Sequence, residues 1–459
     1  MPKDPVPHLL SRATELLEEQ FASLPAFEPV SHTVAIERVL DEVACRLGDN
    51  YPYFHPLYAG QMLKPPHPLA RAAYALAMTI NPNNHARDGG RASSEMEIEA
   101  VREIAGIFGW TEFLGHLASS GTMANLEALW ISGQLAPGKR IVGSEQAHYT
   151  HARISSVLKL EFTPVAADSR GRMSLEALEA ELRKGDVGTV VATLGTTAIG
   201  AVDSLTEILA LRERYGFRVH VDAAYGGYFR LIPDDLEAPA RRAFEAIGQA
   251  DSIVIDPHKH GLQPYGCGCV LFRDPAVGRF YKHDSPYTYF TSKQLHLGEI
   301  SLECSRAGAS AVALWATQRL LPLTPGGEFA QGLARGRAAA VELDRRLRQD
   351  ESVSFLPLAA GAPELDIVVW KVNSKTPEHA SQLAREIFDA CARRDLHLAL
   401  VELPLAWFQP AAGLEQANGA ASNAGLVTCL RSVLMKPDHQ AWLDRIWERL
   451  TAAAAEVIG

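Results

Sequence analysis

From about residue 69 to residue 320, strand-like apolar runs alternate with stretches of helical period, and no other feature restricts the fold of this chain as much. The runs are Arg140-Ile141-Val142-Gly143, Gly188-Thr189-Val190-Val191-Ala192-Thr193, Val219-His220-Val221, Ser252-Ile253-Val254-Ile255 and Gly268-Cys269-Val270-Leu271-Phe272. The first four are separated by helical stretches. That pattern predicts an α/β domain with a mostly parallel sheet. Ligands in such sheets collect at the C-terminal strand ends, where Thr193, Asp222 and Lys259 fall.

Three segments at those ends carry chemistry. Ser252-Ile253-Val254-Ile255 leads into Asp256-Pro257-His258-Lys259. A lysine that ends a buried strand is costly to desolvate, so its amine can become a nucleophile toward an aldehyde. In Arg218-Val219-His220-Val221-Asp222-Ala223-Ala224-Tyr225-Gly226-Gly227, a carboxylate ends a strand and small residues follow. A buried Asp there needs a cationic partner such as a pyridinium nitrogen, and small side chains let a flat ring lie near the backbone. In Ala118-Ser119-Ser120-Gly121-Thr122-Met123, a Ser/Gly/Thr turn enters an Ala/Leu-rich helix. Free N–H groups and hydroxyls at a helix N-terminus bind phosphate. Plainer readings exist for two of these: Asp222 as a helix cap with glycine packing, and Ser120 or Thr122 as an ordinary N-cap.

Phosphate cradle, ring-nitrogen partner and nucleophilic lysine, in that chain order, are the parts that a pyridoxal phosphate (PLP) enzyme needs. The chain resembles fold-type I PLP enzymes, and more closely the group II amino acid decarboxylases, in the branch that includes bacterial tyrosine decarboxylases. In Ser144-Glu145-Gln146-Ala147-His148-Tyr149-Thr150-His151, His148 is placed like the family's ring-stacking histidine. Gly195-Thr196-Thr197 looks like the family's Gly-Thr-Thr turn, and Asp222 follows Thr197 by 25 residues. Gly60-Gln61-Met62-Leu63-Lys64-Pro65-Pro66-His67-Pro68, Asn81-Pro82-Asn83-Asn84 and Leu302-Glu303-Cys304-Ser305-Arg306-Ala307-Gly308-Ala309 are similar to further segments of that branch.

The resemblance implies a PLP-dependent transferase-like fold with a smaller C-terminal α/β domain, pyridoxal 5′-phosphate as cofactor, and an amino acid substrate. It also implies a homodimer with the active site at the subunit interface. Lys259 is then the Schiff-base lysine, Asp222 the partner of the ring nitrogen, and His148 the residue on the ring face. Gly121, Thr122 and His258 contact the phosphate with Ser120 behind them, although His258 also has a structural reading. Ala224 packs against the ring, and Thr197 sits near the ring oxygen or the substrate carboxylate. Tyr265, six residues beyond Lys259, is the expected proton donor to Cα; Tyr287 or Tyr289 is the alternative, on a loop reaching over from the partner subunit. Arg306 braces the dimer, approaches the partner's phosphate or makes a surface ion pair. Arg431 lies where many PLP enzymes bind a carboxylate, a use that the decarboxylases generally lack.

At 459 residues the chain exceeds one ordinary domain. Residues 1–68 read as an N-terminal helical segment followed, over 49–68, by an irregular Pro/Tyr/His-rich stretch that lies on the surface or clasps a partner subunit. Residues 69–325 form the large PLP-binding domain. Residues 326–459 form a small domain read as helix, strand, helix, strand, helix, with an Ala/Gly/Asn-rich loop near 411–424. A net charge of −10 argues against nucleic acid as a partner, and no run approaches a membrane span. The start has no apolar signal core, and the six scattered cysteines show neither disulfide nor zinc spacing, so a reducing cytoplasm and no metal are expected. Phe54, His55, Tyr58, Tyr287 and Tyr289 weakly favour an aromatic substrate. The expected reaction is decarboxylation of an L-amino acid to the amine and CO2. The alternative is a PLP-dependent carbon–carbon lyase or a decarboxylation-coupled transaminase or oxidase. A dinucleotide-binding dehydrogenase would require a G-x-G-x-x-G turn after the first strand, which the sequence lacks.

Overall fold

The computed structural model of the chain describes residues 6–27, 33–282, 296–350, 355–408 and 425–459. Its larger sheet has seven strands: β1 (Leu114–Ala118), β2 (Arg140–Ser144), β3 (Phe162–Val165), β4 (Val187–Thr193), β5 (Arg218–Asp222), β6 (Ser252–Ile255) and β7 (Gly268–Phe272). They lie in the order β1-β7-β6-β5-β4-β2-β3. Only β7 runs antiparallel to its neighbours; the other pairings are parallel. β4, mostly apolar and buried at every position, sits near the middle, as a strand covered on both faces must. The register sets Thr193 beside Asp222 and Asp222 beside Val254, so β4, β5 and β6 end together on one crevice.

The five expected strands are present, joined by β1 and β3. Both depart from the apolar-run pattern for a reason. β1 carries Gly115 and His116. β3 carries Pro164, which is tolerated because β3 is an edge strand.

Helices α1 (Val6–Glu19), α2 (Thr33–Leu47), α3 (Pro68–Ile80) and α4 (Arg91–Ile107) precede the sheet. Helices α5 (Gly121–Leu135), α6 (Thr150–Val157), α7 (Leu175–Leu182), α8 (Leu205–Tyr215) and α9 (Ala238–Ala246) connect its strands, and α10 (Gly308–Leu320) packs on α3 and α4. Beyond it come α11 (Glu328–Gln349), α12 (Pro377–Ala392) and α13 (His439–Ile458) around a second sheet. That sheet holds β8 (Phe355–Pro357), β9 (Ile367–Val372), β10 (Ala399–Pro404) and β11 (Leu426–Val433), in the order β10-β11-β9-β8 and antiparallel throughout. Four strands thus stand where the sequence suggested two.

The stretch 49–68 finds its surface within its own chain. The Ala59 N–H donates to the His397 carbonyl at 2.9 Å, the Val433 N–H donates to the Ala59 carbonyl at 2.7 Å, and Leu57 joins the core beneath the smaller sheet. Among the described residues, no helix is long and apolar enough to cross a membrane. The Ala/Gly/Asn-rich loop near 411–424 lies outside the described residues.

Candidate active site

The crevice at the strand ends is a cleft of about 670 Å³ including its open mouth. Its floor is Asp222, its far wall Lys259, and its near end the start of α5. Ser120 is extended (φ −168°), and its Oγ accepts the Met123 N–H at 3.2 Å, so this hydroxyl is the N-cap of α5. The N–H groups of Gly121 and Thr122 precede the first helical bonds and carry the positive end of the helix dipole. A Cβ at Gly121 would stand 2.5 Å from Asp256 Oδ2, so any larger residue there would have to displace that carboxylate.

Asp222 ends β5 and is buried. Its Oδ1 accepts the Ala224 N–H at 3.1 Å and its Oδ2 accepts from His151 Nε2 at 2.8 Å. Burial works to raise this carboxyl. The hydrogen bond and charge of His151, the charge of Lys259 and the Ala224 N–H outweigh it, and the group stays well below the ordinary carboxylate range. Beneath Asp222, His220 Nδ1 meets Ser252 Oγ at 2.9 Å and its Nε2 meets Asn125 Oδ1 at 2.8 Å. Burial lowers His220 to about 3, so this imidazole is neutral.

Lys259 lies on the turn after β6, with its side chain 22% exposed. Its amine is not isolated, as the buried-strand argument supposed: Nζ pairs with Asp256 Oδ2 at 3.2 Å. Asp256 Oδ1 has no partner among the described residues. His258 Nδ1 donates to the Cys267 carbonyl at 2.7 Å, which turns Nε2 toward Asp256, 3.6 Å away. His258 therefore has a structural bond on one side and faces Asp256 on the other.

His148 follows β2 and is half-buried; its Nδ1 meets Thr150 Oγ1 at 2.8 Å. Burial, reinforced by Lys259 and His151, lowers its imidazole against the opposing charges of Asp222 and Asp256. Thr197 stands exposed at the mouth, and Ala224 is buried beside Asp222. Tyr265 sits at the rim rather than in the cleft, 60% exposed, with its ring 4.9 Å from that of His258. Tyr287 and Tyr289 lie outside the described residues.

The structure gives both arginines partners within the chain. Arg431 is buried and spent on carbonyls: Nη2 donates to Thr197 O at 2.7 Å, Nε to Ala198 O at 2.9 Å and Nη1 to Gly60 O at 3.3 Å. It shapes the Thr197 turn rather than binding a carboxylate. Arg306 is no surface pair, since its Nη1 meets the buried Glu97 at 3.1 Å within the same chain.

Sequence reasoning missed three residues here: Asp256 and Asn125, which line the cleft, and His151, buried against Asp222. Their signal was adjacency, with Asp256 opening the lysine segment and His151 closing the histidine one. Among the described residues, no three His, Cys, Asp or Glu side chains gather as a metal site. The side chains fit PLP. The free Gly121 and Thr122 N–H groups at the start of α5 suit a phosphate, a charged buried carboxylate with open lone pairs suits a protonated ring nitrogen, and an amine suits an aldehyde.

The model of the pyridoxal-dependent decarboxylase conserved domain matches residues 129–371. An L-tyrosine decarboxylase of Enterococcus faecium is 29% identical over 467 residues, covering 78% of this chain and 76% of that protein. One from Levilactobacillus brevis is 28% identical over 404 residues, covering 66% of this chain and 64% of its own length. Among solved structures, Oryza sativa TDC with PLP and tryptamine superposes with a TM-score of 0.77 at 17% identity, covering all of this chain and 99% of that one. At that identity the likeness shows the fold, the fold-type I architecture.

Proposed function

Because this chain belongs to the pyridoxal-dependent decarboxylase family, and is thereby a PLP-dependent amino acid carboxy-lyase, we propose that its cleft between Asp222 and Lys259 removes the α-carboxylate of an aromatic L-amino acid. One observation carries the reading of the site: adjacent strand ends bring a charged buried carboxylate and a lysine amine into one cleft that a helix N-terminus closes. When bound, PLP supplies a conjugated ring that accepts the electron pair left as the bond to the carboxylate breaks.

The chain's own residues do the rest. The Lys259 amine would hold the cofactor through its aldehyde. Asp222 keeps a proton on the ring nitrogen, and its depressed carboxyl ensures that it is charged at neutral pH. The Gly121 and Thr122 N–H groups would hold the phosphate, with Ser120 keeping the helix start in place and His258 as a further candidate contact. His148, fixed by Thr150, would lie against the ring face. Ala224 would back the ring, and Thr197 guards the mouth. Tyr265 at the rim is the favoured donor of the proton to Cα, with Tyr287 and Tyr289 as the other candidates.

The division at 1–68, 69–325 and 326–459 is retained as part of this reading. So is a homodimer, supported by the apolar residues that α1 and α2 expose. A cytoplasmic site of action agrees with six cysteines that are all unpaired.

The test is CO2 and amine release from a panel of L-amino acids. Tyrosine, phenylalanine, tryptophan and DOPA are expected to exceed aspartate and glutamate by at least about tenfold in kcat/KM, a difference of one pocket contact or more. Borohydride should fix the cofactor to Lys259, and Lys259→Ala should abolish this labelling and turnover together. Tyr265→Phe should lower kcat by about 10²–10⁴, the ordinary range for a lost general acid, with KM little changed. Full activity in that variant would move the donor elsewhere.

A further inference from the structure

We propose that His151 is the positioning residue of Asp222: its Nε2–H fixes Oδ2 of that carboxylate, so that the open lone pairs aim at the ring nitrogen of the cofactor. The inference rests on reading the cleft as the PLP site. It concerns a residue that the reading itself does not require.

The two side chains are 2.8 Å apart and 1% and 6% exposed, so no water competes for the bond. A carboxylate only accepts, which assigns the proton to Nε2. The other ring nitrogen, Nδ1, is buried with no partner among the described residues. Asp222 then receives one N–H on each oxygen, from Ala224 on its own strand end and from His151 on α6. The Ala224 bond alone leaves the carboxylate free to swing about its Cβ–Cγ bond. The His151 bond removes that freedom.

The surroundings hold His151 in turn. Its ring meets the His220 ring edge-on, with centroids 6.3 Å apart, and His220 is locked between Asn125 on α5 and Ser252 on β6. The His151 N–H also donates to the His148 carbonyl at 3.0 Å, while Thr150 orients the His148 imidazole. One turn of chain therefore sets both the residue beside the ring and the residue beneath Asp222.

The test compares full-length holoenzymes carrying His151→Gln, which keeps an N–H donor, and His151→Phe, which keeps the volume without one; His151→Leu replaces the latter if it does not fold. PLP affinity is read by titrating the cofactor-free protein, together with the visible absorbance of the bound cofactor and the melting temperature of the cofactor-free form. The donor-free variant should bind PLP about 10- to 100-fold more weakly, the range for losing a hydrogen bond to a charged group, with an altered visible band. The glutamine variant should return to within about threefold of the unsubstituted protein. Equal losses in both variants, or a donor-free variant whose affinity and spectrum are unchanged while only its melting temperature falls, would overturn the proposal. An unsubstituted protein that takes up no PLP would overturn the site reading as well, and is told apart because it fails before any substitution is made.

Discussion

A methyl group added at Gly268 would stand 2.5 Å from the Ser120 carbonyl carbon and 2.9 Å from the Gly121 nitrogen. Both are backbone atoms and cannot swing aside, so β7 presses on the turn that opens α5 with no room to spare. Gly268→Ala should therefore destabilise the protein by about 1–3 kcal/mol, the usual cost of overpacking. Since the displaced atoms belong to the proposed phosphate cradle, PLP affinity should drop by roughly tenfold or more along with it. Thermal melting without cofactor and PLP titration read the two effects separately. Loss of stability with unchanged affinity would detach the α5 start from the cofactor. This scale also marks where sequence reasoning stops. Lys259, Asp222 and His148 were legible because their chemistry and spacing are distinctive. His151 was in view three residues past His148, yet its direction depends on where α6 begins. Asp256 adjoins the lysine segment, but which way its carboxylate points is fixed by the phase of the turn after β6, which no pattern of residue types encodes.

Elements were legible in proportion to their burial. β4 and β6 are mainly apolar runs buried at every position, and the sequence reports them directly. β3 sits at an edge and β8 has three residues, so neither needs the pattern that would reveal it. The stretch 49–68 shows a different limit. Its irregular composition was plain, but the surface beneath it was not. Lys436, which follows β11, reaches back to donate to the Tyr58 carbonyl and ties this stretch to the smaller sheet. Burial lowers Lys436 to about 7, and the nearby Lys64 charge adds to the effect. An unfolded lysine titrates near 10.4, so between about pH 7 and pH 10 the unfolded chain binds the extra proton. Stability must then rise with pH across that window. The melting temperature of the unsubstituted protein should gain a few degrees, roughly, over Lys436→Met between pH 7 and pH 9. Parallel pH profiles from circular dichroism melts would contradict a buried, readily neutralised amine at this position.

At the scale of the whole molecule, the chain leaves an apolar face without a cover. Along α2, Ile36, Leu40, Val43 and Leu47 recur at helical spacing on one face and are 43–62% exposed. Leu9 and Leu16 do the same on α1. Two amphipathic helices with this much exposed hydrocarbon are unstable in water unless something covers them, and each large aliphatic side chain buried there contributes about 1.5–3 kcal/mol. A second copy of the chain is the occupant that fits the proposed homodimer. Replacing Ile36 and Leu40 together with glutamate removes two such contributions and adds the cost of burying charge at an interface. The dimer dissociation constant should rise by at least about 100-fold, since 1.4 kcal/mol is a factor of ten. Sedimentation across a micromolar dilution series measures it. CO2 release followed on the same samples should fall in step with the dimer fraction if the partner completes the cleft. A variant that becomes monomeric and keeps full turnover would separate assembly from catalysis, and would leave the residues around Asp222 and Lys259 sufficient in one subunit.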